Sequence, residues 1–363
     1  MNDKEFGGLI VRLINKEDLS REETKKAFSV ILRDETTEMQ QGAFLAALCA
    51  KGETEEEVAG AWEAIYGLDT AKVNVSVEAP LVENSGTGMD SFKTFNISTA
   101  ASVVAAAGGV IMARHGARAL TSVCGTVDMA EALGVDVDCP IEVVAKSIVK
   151  AGLGLFNGMS PTVHPHALSR ILSKIHFGST LNIAASLANP AMPKVGVRGV
   201  FSKEMLIPVS KVMHAIGYER ALVIYGEING SNLGIDEASV CGTTHIVELN
   251  PDGTTHYYSI KPEQLGLSPH NPEDLKPNPK IDQEARKFVK LMKGEGDGAR
   301  NDITAFNAAL ILYVAGKADS IEKGVDMAFQ IISSGKAYQE LERWVEEQNR
   351  YPDKGLEKVR SLS

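Results

Sequence analysis

Polar and apolar positions along residues 1–70 repeat with a helical period. Three helix-start signatures punctuate them: Ser20 with Glu23, Thr37 with Gln40, and Thr54 with Glu57. In each, a hydroxyl can accept from the third helical N–H while the later acid or amide reaches back to the cap. Phe44, Leu45 and Leu48 fall on one helical face, and Lys51-Gly52 supplies a stop. Three short helices are predicted, and residues 1–70 read as a helical unit. After Pro80 the texture changes to short aliphatic runs alternating with small-residue helices, the pattern of an α/β layer structure. Residues 110–113, 221–225 and 244–249 are the clearest strands. The last is predicted to pair with His256–Ile260 as a hairpin, because Asn250-Pro-Asp-Gly253 is a turn between two β-rich runs. From Asp282 to about Gln348 the pattern is helical again, with Gly294–Gly298 as a loop.

Length divides this pattern into two domains, since a single core stops growing near roughly 250–300 residues and the chain has 363. With 44% hydrophobic residues and no apolar run of the roughly 18 needed to span a membrane, a soluble protein is expected. The Met-Asn-Asp-Lys-Glu start resembles no secretory signal, and Cys49, Cys124, Cys139 and Cys241 are too scattered for a zinc pattern. A cytoplasmic protein with free thiols follows as the expectation. The net charge of −10 disfavours nucleic acid as the main partner. An acidic chain that handles a polyanionic small molecule needs local positive potential from backbone N–H groups, a few Arg or Lys, or a divalent metal.

Three constellations fit that need. Gly86-Thr-Gly-Met-Asp90 precedes Phe95-Asn-Ile-Ser-Thr99 and a small-residue helix; the glycines let a ligand approach the backbone, and Asn96, Ser98 and Thr99 stand at a helix start suited to pyrophosphate. Taken alone, this loop is equally a tight strand-to-helix turn. Arg114-His-Gly-Ala-Arg118 follows a predicted strand, where α/β proteins bind ligands, with further hydroxyls in Thr121-Ser-Val-Cys-Gly-Thr126. Gly234-Ile-Asp-Glu237 offers two adjacent carboxylates, either a solvated acidic turn or hard oxygen ligands for Mg²⁺. No Ser-His-Asp or Cys-His nucleophile pattern is evident.

The order and spacing of these motifs, together with Glu131-Ala-Leu-Gly134, His164-Pro165, Asn189-Pro190 and Asn307-Ala-Ala309, resemble the anthranilate phosphoribosyltransferase family from about residue 8 to residue 340. The resemblance implies a small helical domain at 1–72, completed by helices within about 165–200. A larger α/β domain at 73–363, of the anthranilate phosphoribosyltransferase and nucleoside phosphorylase type, would bind the donor. It also implies a homodimer through helical segments, for which Leu9, Ile10, Leu13 and Ile14 are candidates.

Phosphoribosyl pyrophosphate would be the donor, held by Gly86, Thr87, Gly88, Asp90, Asn96, Ser98, Thr99, Arg114 and Thr126. Mg²⁺ would sit on Ser98, Asp236 and Glu237. The acceptor pocket would involve His115, Ala117, Lys174, Ala185 and Ser186, with no catalytic acid or base assigned. Departures from the family pattern are Met89 for a glycine, Arg114 for a Lys, Thr126 for a Ser, Ala117 for an Asn, and Ala185-Ser186 for Gly-Pro. The family's carboxylate-binding Arg has only Lys174 or Arg170 as stand-ins. The expected acceptor is therefore an amine or nitrogen heterocycle other than anthranilate. Alternatives are a pyrimidine-nucleoside-phosphorylase-like enzyme, echoed by Cys124-Gly-Thr126, and a non-catalytic paralogue that binds a ligand or nucleic acid.

Overall fold

The computed structural model describes residues 1–88, 90–119 and 124–363. Helices α1 (Asp3–Ile14), α2 (Arg21–Leu32), α3 (Glu38–Lys51) and α4 (Glu55–Leu68) open the chain, followed by β1 (Leu81–Ser85), α5 (Ile97–Ala107), β2 (Ile111–Gly116), α6 (Thr126–Ala132), α7 (Ile141–Ala151) and β3 (Leu153–Asn157). Next come α8 (Leu168–Ile175), α9 (Leu181–Ala184), β4 (Val195–Gly199), α10 (Leu206–Ala215), β5 (Arg220–Glu227), β6 (Gly234–Ile235), β7 (Thr244–Leu249) and β8 (Thr255–Ile260). The last elements are α11 (Ile281–Met292), α12 (Gly298–Val314), α13 (Ile321–Ser333), α14 (Lys336–Glu347) and α15 (Pro352–Ser361).

Local chemistry explains the helix starts. The reciprocal boxes form at Ser20 with Glu23 and at Thr54 with Glu57. Thr37 caps α3, but Gln40 turns its amide to the Asp3 carbonyl instead of the cap. The N-terminal helices number one more than the three predicted: α1 starts at the chain end with its own box, Asn2 with Glu5, and buries Phe6, Leu9 and Leu13.

The eight-stranded sheet has the order β3-β2-β1-β4-β5-β7-β8, with β6 also pairing β5. The strands from β3 to β5 are parallel, and β7 and β8 form the expected antiparallel hairpin. Alternate residues enter opposite layers, as a two-residue side-chain period requires. Leu222, Ile224 and Ile246 pack with Phe306, Leu310 and Trp344. Ala221, Val223 and Val247 pack instead with Phe28, Phe44 and Trp62 of the N-terminal helices and with Ile171, Leu187 and Met213. The chain order reverses at β1, whose neighbours β2 and β4 follow it on opposite sides, so the carboxyl end of β1 opens at the topological switch point where open α/β sheets bind ligands. Among the described residues no helix is long and apolar enough to cross a membrane.

Candidate functional site

A cleft of about 930 Å³ opens at that switch point. One end is built from the loop after β1, the start of α5 and the loop carrying Asp236 and Glu237. Gly88 needs its glycine, with φ at +69°, and a Cβ on Gly86 would lie 2.3 Å from Asp236 Oδ2. That close approach lets Gly88 N–H donate to Asp236 at 2.8 Å and the Thr87 hydroxyl at 3.3 Å. Glu237 accepts from Ser98 N–H at 3.1 Å, at the positive end of α5. Asp90 lies beside them, paired with Lys93 at 2.7 Å. Burial and the neighbouring Asp236 charge hold the Glu237 carboxyl well above the usual range and push Asp90 up to about 6.

Arg114, 1% exposed at the end of β2, is clamped by the Asn84 carbonyl, Thr99 Oγ1 and Ser98 Oγ at 3.2, 2.8 and 3.1 Å. Burial pushes its pKa down to about 10, which still leaves it charged at neutral pH. Thr99 is buried beneath the floor, where it orients Arg114, and the Ser98 hydroxyl is already shared with that guanidinium. Thr126 opens α6 and lines the cleft with Asn96. Arg118 is held by Asp128 and Glu131.

A divalent cation fits the carboxylates. Asp236 and Glu237, each 8% exposed, have only N–H and hydroxyl partners among the described residues, so hard oxygens remain for a cation, whose charge would favour the ionised form of Glu237. No group of three or more His, Cys, Asp or Glu side chains able to hold a metal occurs among the described residues, so further ligands would come from a bound phosphate.

The other end is lined by Met159, Leu168, Leu172, Ile175, Phe177 and Leu181, with His115, Ala117, Ala185 and Ser186. His115 Nδ1 donates to the Ser186 carbonyl at 3.2 Å, and its Nε2 lies 3.3 Å from that of His164. Burial, with His164 adding to it, pushes His115 down to about 3, and burial lowers His164 as well, so both rings are neutral at neutral pH.

Lys174 is a correction. On the amphipathic helix α8 it points outward, half-exposed, and pairs with Glu38, while α8 turns Leu168 and Leu172 to the cleft. Arg170 is likewise occupied, by Asp34, Gln41 and the Ile31 carbonyl. Met89, Thr121 and Ser122 lie outside the described residues.

Sequence reasoning missed Glu83, Ser85 and Arg198. The available signal was a charged residue inside the apolar run Val195-Gly-Val-Arg-Gly-Val200. It missed the apolar wall as well, because Met159, Phe177 and the apolar face of α8 carry no polar signature.

Two family models match this architecture: the helical bundle domain of a glycosyl transferase family over residues 8–67, and that family's a/b domain over residues 78–338. Anthranilate phosphoribosyltransferase of Desulfosudis oleivorans is 37% identical over 344 residues, 94% of this chain and 98% of its own. The enzyme of that name from Methanosarcina barkeri is 39% identical over 90% of this chain and 86% of its own. The crystal structure of anthranilate phosphoribosyltransferase from Thermus thermophilus matches with a TM-score of 0.84 and 33% identity, covering 94% of this chain and 99% of that one. The Saccharomyces cerevisiae enzyme in complex with PRPP and Mg shares the fold, with a TM-score of 0.82 at 22% identity over 96% of this chain and 98% of that one. The chain therefore belongs to this glycosyl transferase family, as a pentosyltransferase of the anthranilate phosphoribosyltransferase type.

Proposed function

We propose that the chain transfers the phosphoribosyl group of phosphoribosyl pyrophosphate, bound with Mg²⁺, to the nitrogen of an amine or nitrogen heterocycle other than anthranilate. The observation that carries the donor half is the pair Asp236 and Glu237, without a cationic partner among the described residues, against the backbone of Gly86–Gly88 and the start of α5. Gly88 N–H and the Thr87 hydroxyl are donors for which a phosphate would compete, and Asp90 is placed to reach the ribose. When bound, Mg²⁺ supplies positive charge for the departing pyrophosphate. Arg114 is fixed in advance by its three partners, so it adds charge stabilisation with little reorganisation. The apolar wall holds the acceptor ring, with His115 beside it in the lining. We also propose that the cleft divides a helical domain, residues 1–72 completed by segments of 165–200, from the remaining α/β domain, and that the chain is a cytoplasmic homodimer.

Calorimetry tests the donor half. Phosphoribosyl pyrophosphate should bind at least about tenfold more tightly with Mg²⁺ than with a chelator, the equivalent of roughly 1.4 kcal/mol. Replacing both Asp236 and Glu237 with Ala should erase the difference. Equal affinity in the wild type under both conditions would overturn the metal assignment.

The acceptor half rests on the position of Lys174. With it on the surface, and with Arg118 already held by Asp128 and Glu131, the described residues at the apolar end offer a carboxylate no unpaired guanidinium or ammonium. Two missing contacts to a charged group, at roughly 1.5–3 kcal/mol each, predict on the order of a hundredfold or greater loss in kcat/KM with anthranilate. Anthranilate fluorescence at saturating donor and Mg²⁺ follows this directly. Turnover of roughly 1–10³ s⁻¹ at micromolar anthranilate would show that the reading of this pocket is wrong.

A further inference from the structure

Arg198 sits near the carboxyl end of β4, the strand beside β1 at the switch point, where the register sets it against Ser85 on one side and Val223 on the other. It is 1% exposed. Its Nη1 donates to Ser85 Oγ at 2.7 Å and its Nη2 to Ser186 Oγ at 2.5 Å, while Nε has no partner among the described residues. A guanidinium is an expensive tie between two hydroxyls, because its burial sacrifices hydration worth several kcal/mol. The two serines lie at the junction of the halves of the cleft: Ser85 directly precedes the Gly86 loop, and Ser186 stands in the wall near His115.

The two hydroxyls are not equivalent. Ser186 Oγ uses its proton on the Asn182 carbonyl at 2.6 Å or that of Ile183 at 2.9 Å. Ser85 Oγ accepts from Arg198, finds no acceptor for its own proton among the described residues, and lines the cleft. A hydroxyl whose oxygen is held by a cation is a stronger donor than a free one. The charge balance decides what it suits. Arg198 has Glu83 and Asp236 set against its charge, is 1% exposed and is not part of the cleft lining, so it presents no guanidinium of its own to an anion in the cleft. A carboxylate would meet one hydroxyl proton where it needs several donors, whereas a neutral carbonyl oxygen is satisfied by one or two.

We propose that Ser85, backed by Arg198, binds a neutral carbonyl oxygen on the acceptor. The chain would thus select amines or nitrogen heterocycles bearing an amide- or lactam-type carbonyl over those bearing a carboxylate or no oxygen. This rests on the phosphoribosyl-transfer reading and names the acceptor class that reading leaves open. Arg198 acts here as a positioning residue, through Ser85.

The test titrates 2-aminobenzamide, anthranilate and aniline into the chain by calorimetry, both donor-free and loaded with phosphoribosyl pyrophosphate and Mg²⁺. Donor binding is measured first, so failure of the transfer reading appears there, while the donor-free titrations still report on Ser85. The wild type should bind 2-aminobenzamide about tenfold more tightly than either other amine, the worth of one hydrogen bond of roughly 1–1.5 kcal/mol. Ser85→Ala should bring 2-aminobenzamide to the level of aniline while leaving aniline itself unchanged. Arg198→Met should do the same, and Arg198→Lys should keep part of the preference. A purely structural Arg198 would lower all three affinities together. Should Arg198→Met fail to fold, Ser85→Ala, which removes a single hydroxyl, carries the test. Tighter binding of anthranilate than of the amide, equal or unsaturable binding of all three, or a preference that survives Ser85→Ala would each overturn the proposal.

Discussion

Asp90 shows how a single residue links the site to the stability of the chain. Its folded pKa is raised to about 6, first by burial and then by the charge of Asp236. The folded state therefore holds a proton that the unfolded chain, with an ordinary carboxyl near roughly 4, has already released. The sign follows: the Asp90 contribution to stability is greatest below about pH 4 and is lost as pH rises through about 6. Asp90→Asn should stabilise the donor-free chain at pH 7 by an amount bounded near 3 kcal/mol, and the gain should vanish by about pH 4. Urea denaturation at the two pH values reads this; a gain that does not change with pH would show that Asp90 is charged throughout. Gly86→Ala acts on the same cluster, because the new Cβ would land on the Asp236 carboxylate. It should weaken the donor at least about tenfold in calorimetry, since a displaced contact to a charged group is worth roughly 1.5–3 kcal/mol. The glycine, hydroxyl and acid types around residues 86–99 made this cluster legible. Arg198 was not, because an Arg within a short apolar run looks the same whether it emerges to solvent or is buried between strands.

Among the elements, the helices were legible through their caps and the parallel strands only in part: the runs at 110–113 and 221–225 fall on β2 and β5, whereas β1, β3 and β4 were not singled out. A cap is a contact between residues three apart, so Ser20 with Glu23 announces itself in sequence. β3 and β4 are buried at every position and rich in glycine, so no alternation marks them. The segment that positions α8 is governed by one distant acid. Asp69, just past α4, accepts from the N–H groups of His166, Ala167 and Leu168 at 2.6, 3.0 and 2.7 Å, joining the N-terminal helices to the apolar wall and to His164. Asp69→Ala leaves those three N–H groups without their acceptor. It should cost about 2–4 kcal/mol of stability and weaken acceptor amines far more than the donor. Chemical denaturation and paired titrations separate the two effects, and equal weakening of both ligands would mean that Asp69 supports the whole cleft.

At the scale of the molecule, the α/β class followed from texture alone, whereas strand order did not, because parallel pairing joins residues far apart in sequence. The expected dimer face is partly spent. Leu9 and Leu13 turn into the chain's own core, while Val11 and Ile14 remain exposed on α1 and Met39 on α3. Light scattering should still give twice the mass of 38.9 kDa at micromolar concentration, and Ile14→Glu should shift it toward the monomer; a monomer mass for the wild type would overturn the dimer. The layer that holds α1–α4 also contains Ile171, Leu187, Met213 and Val247. On the ribosome, Phe28, Phe44 and Trp62 emerge long before these partners exist. At roughly 5–20 residues per second, the interval between Leu68 and Leu249 lasts about ten to forty seconds. Throughout it the newborn helices lack the later segments that complete their core.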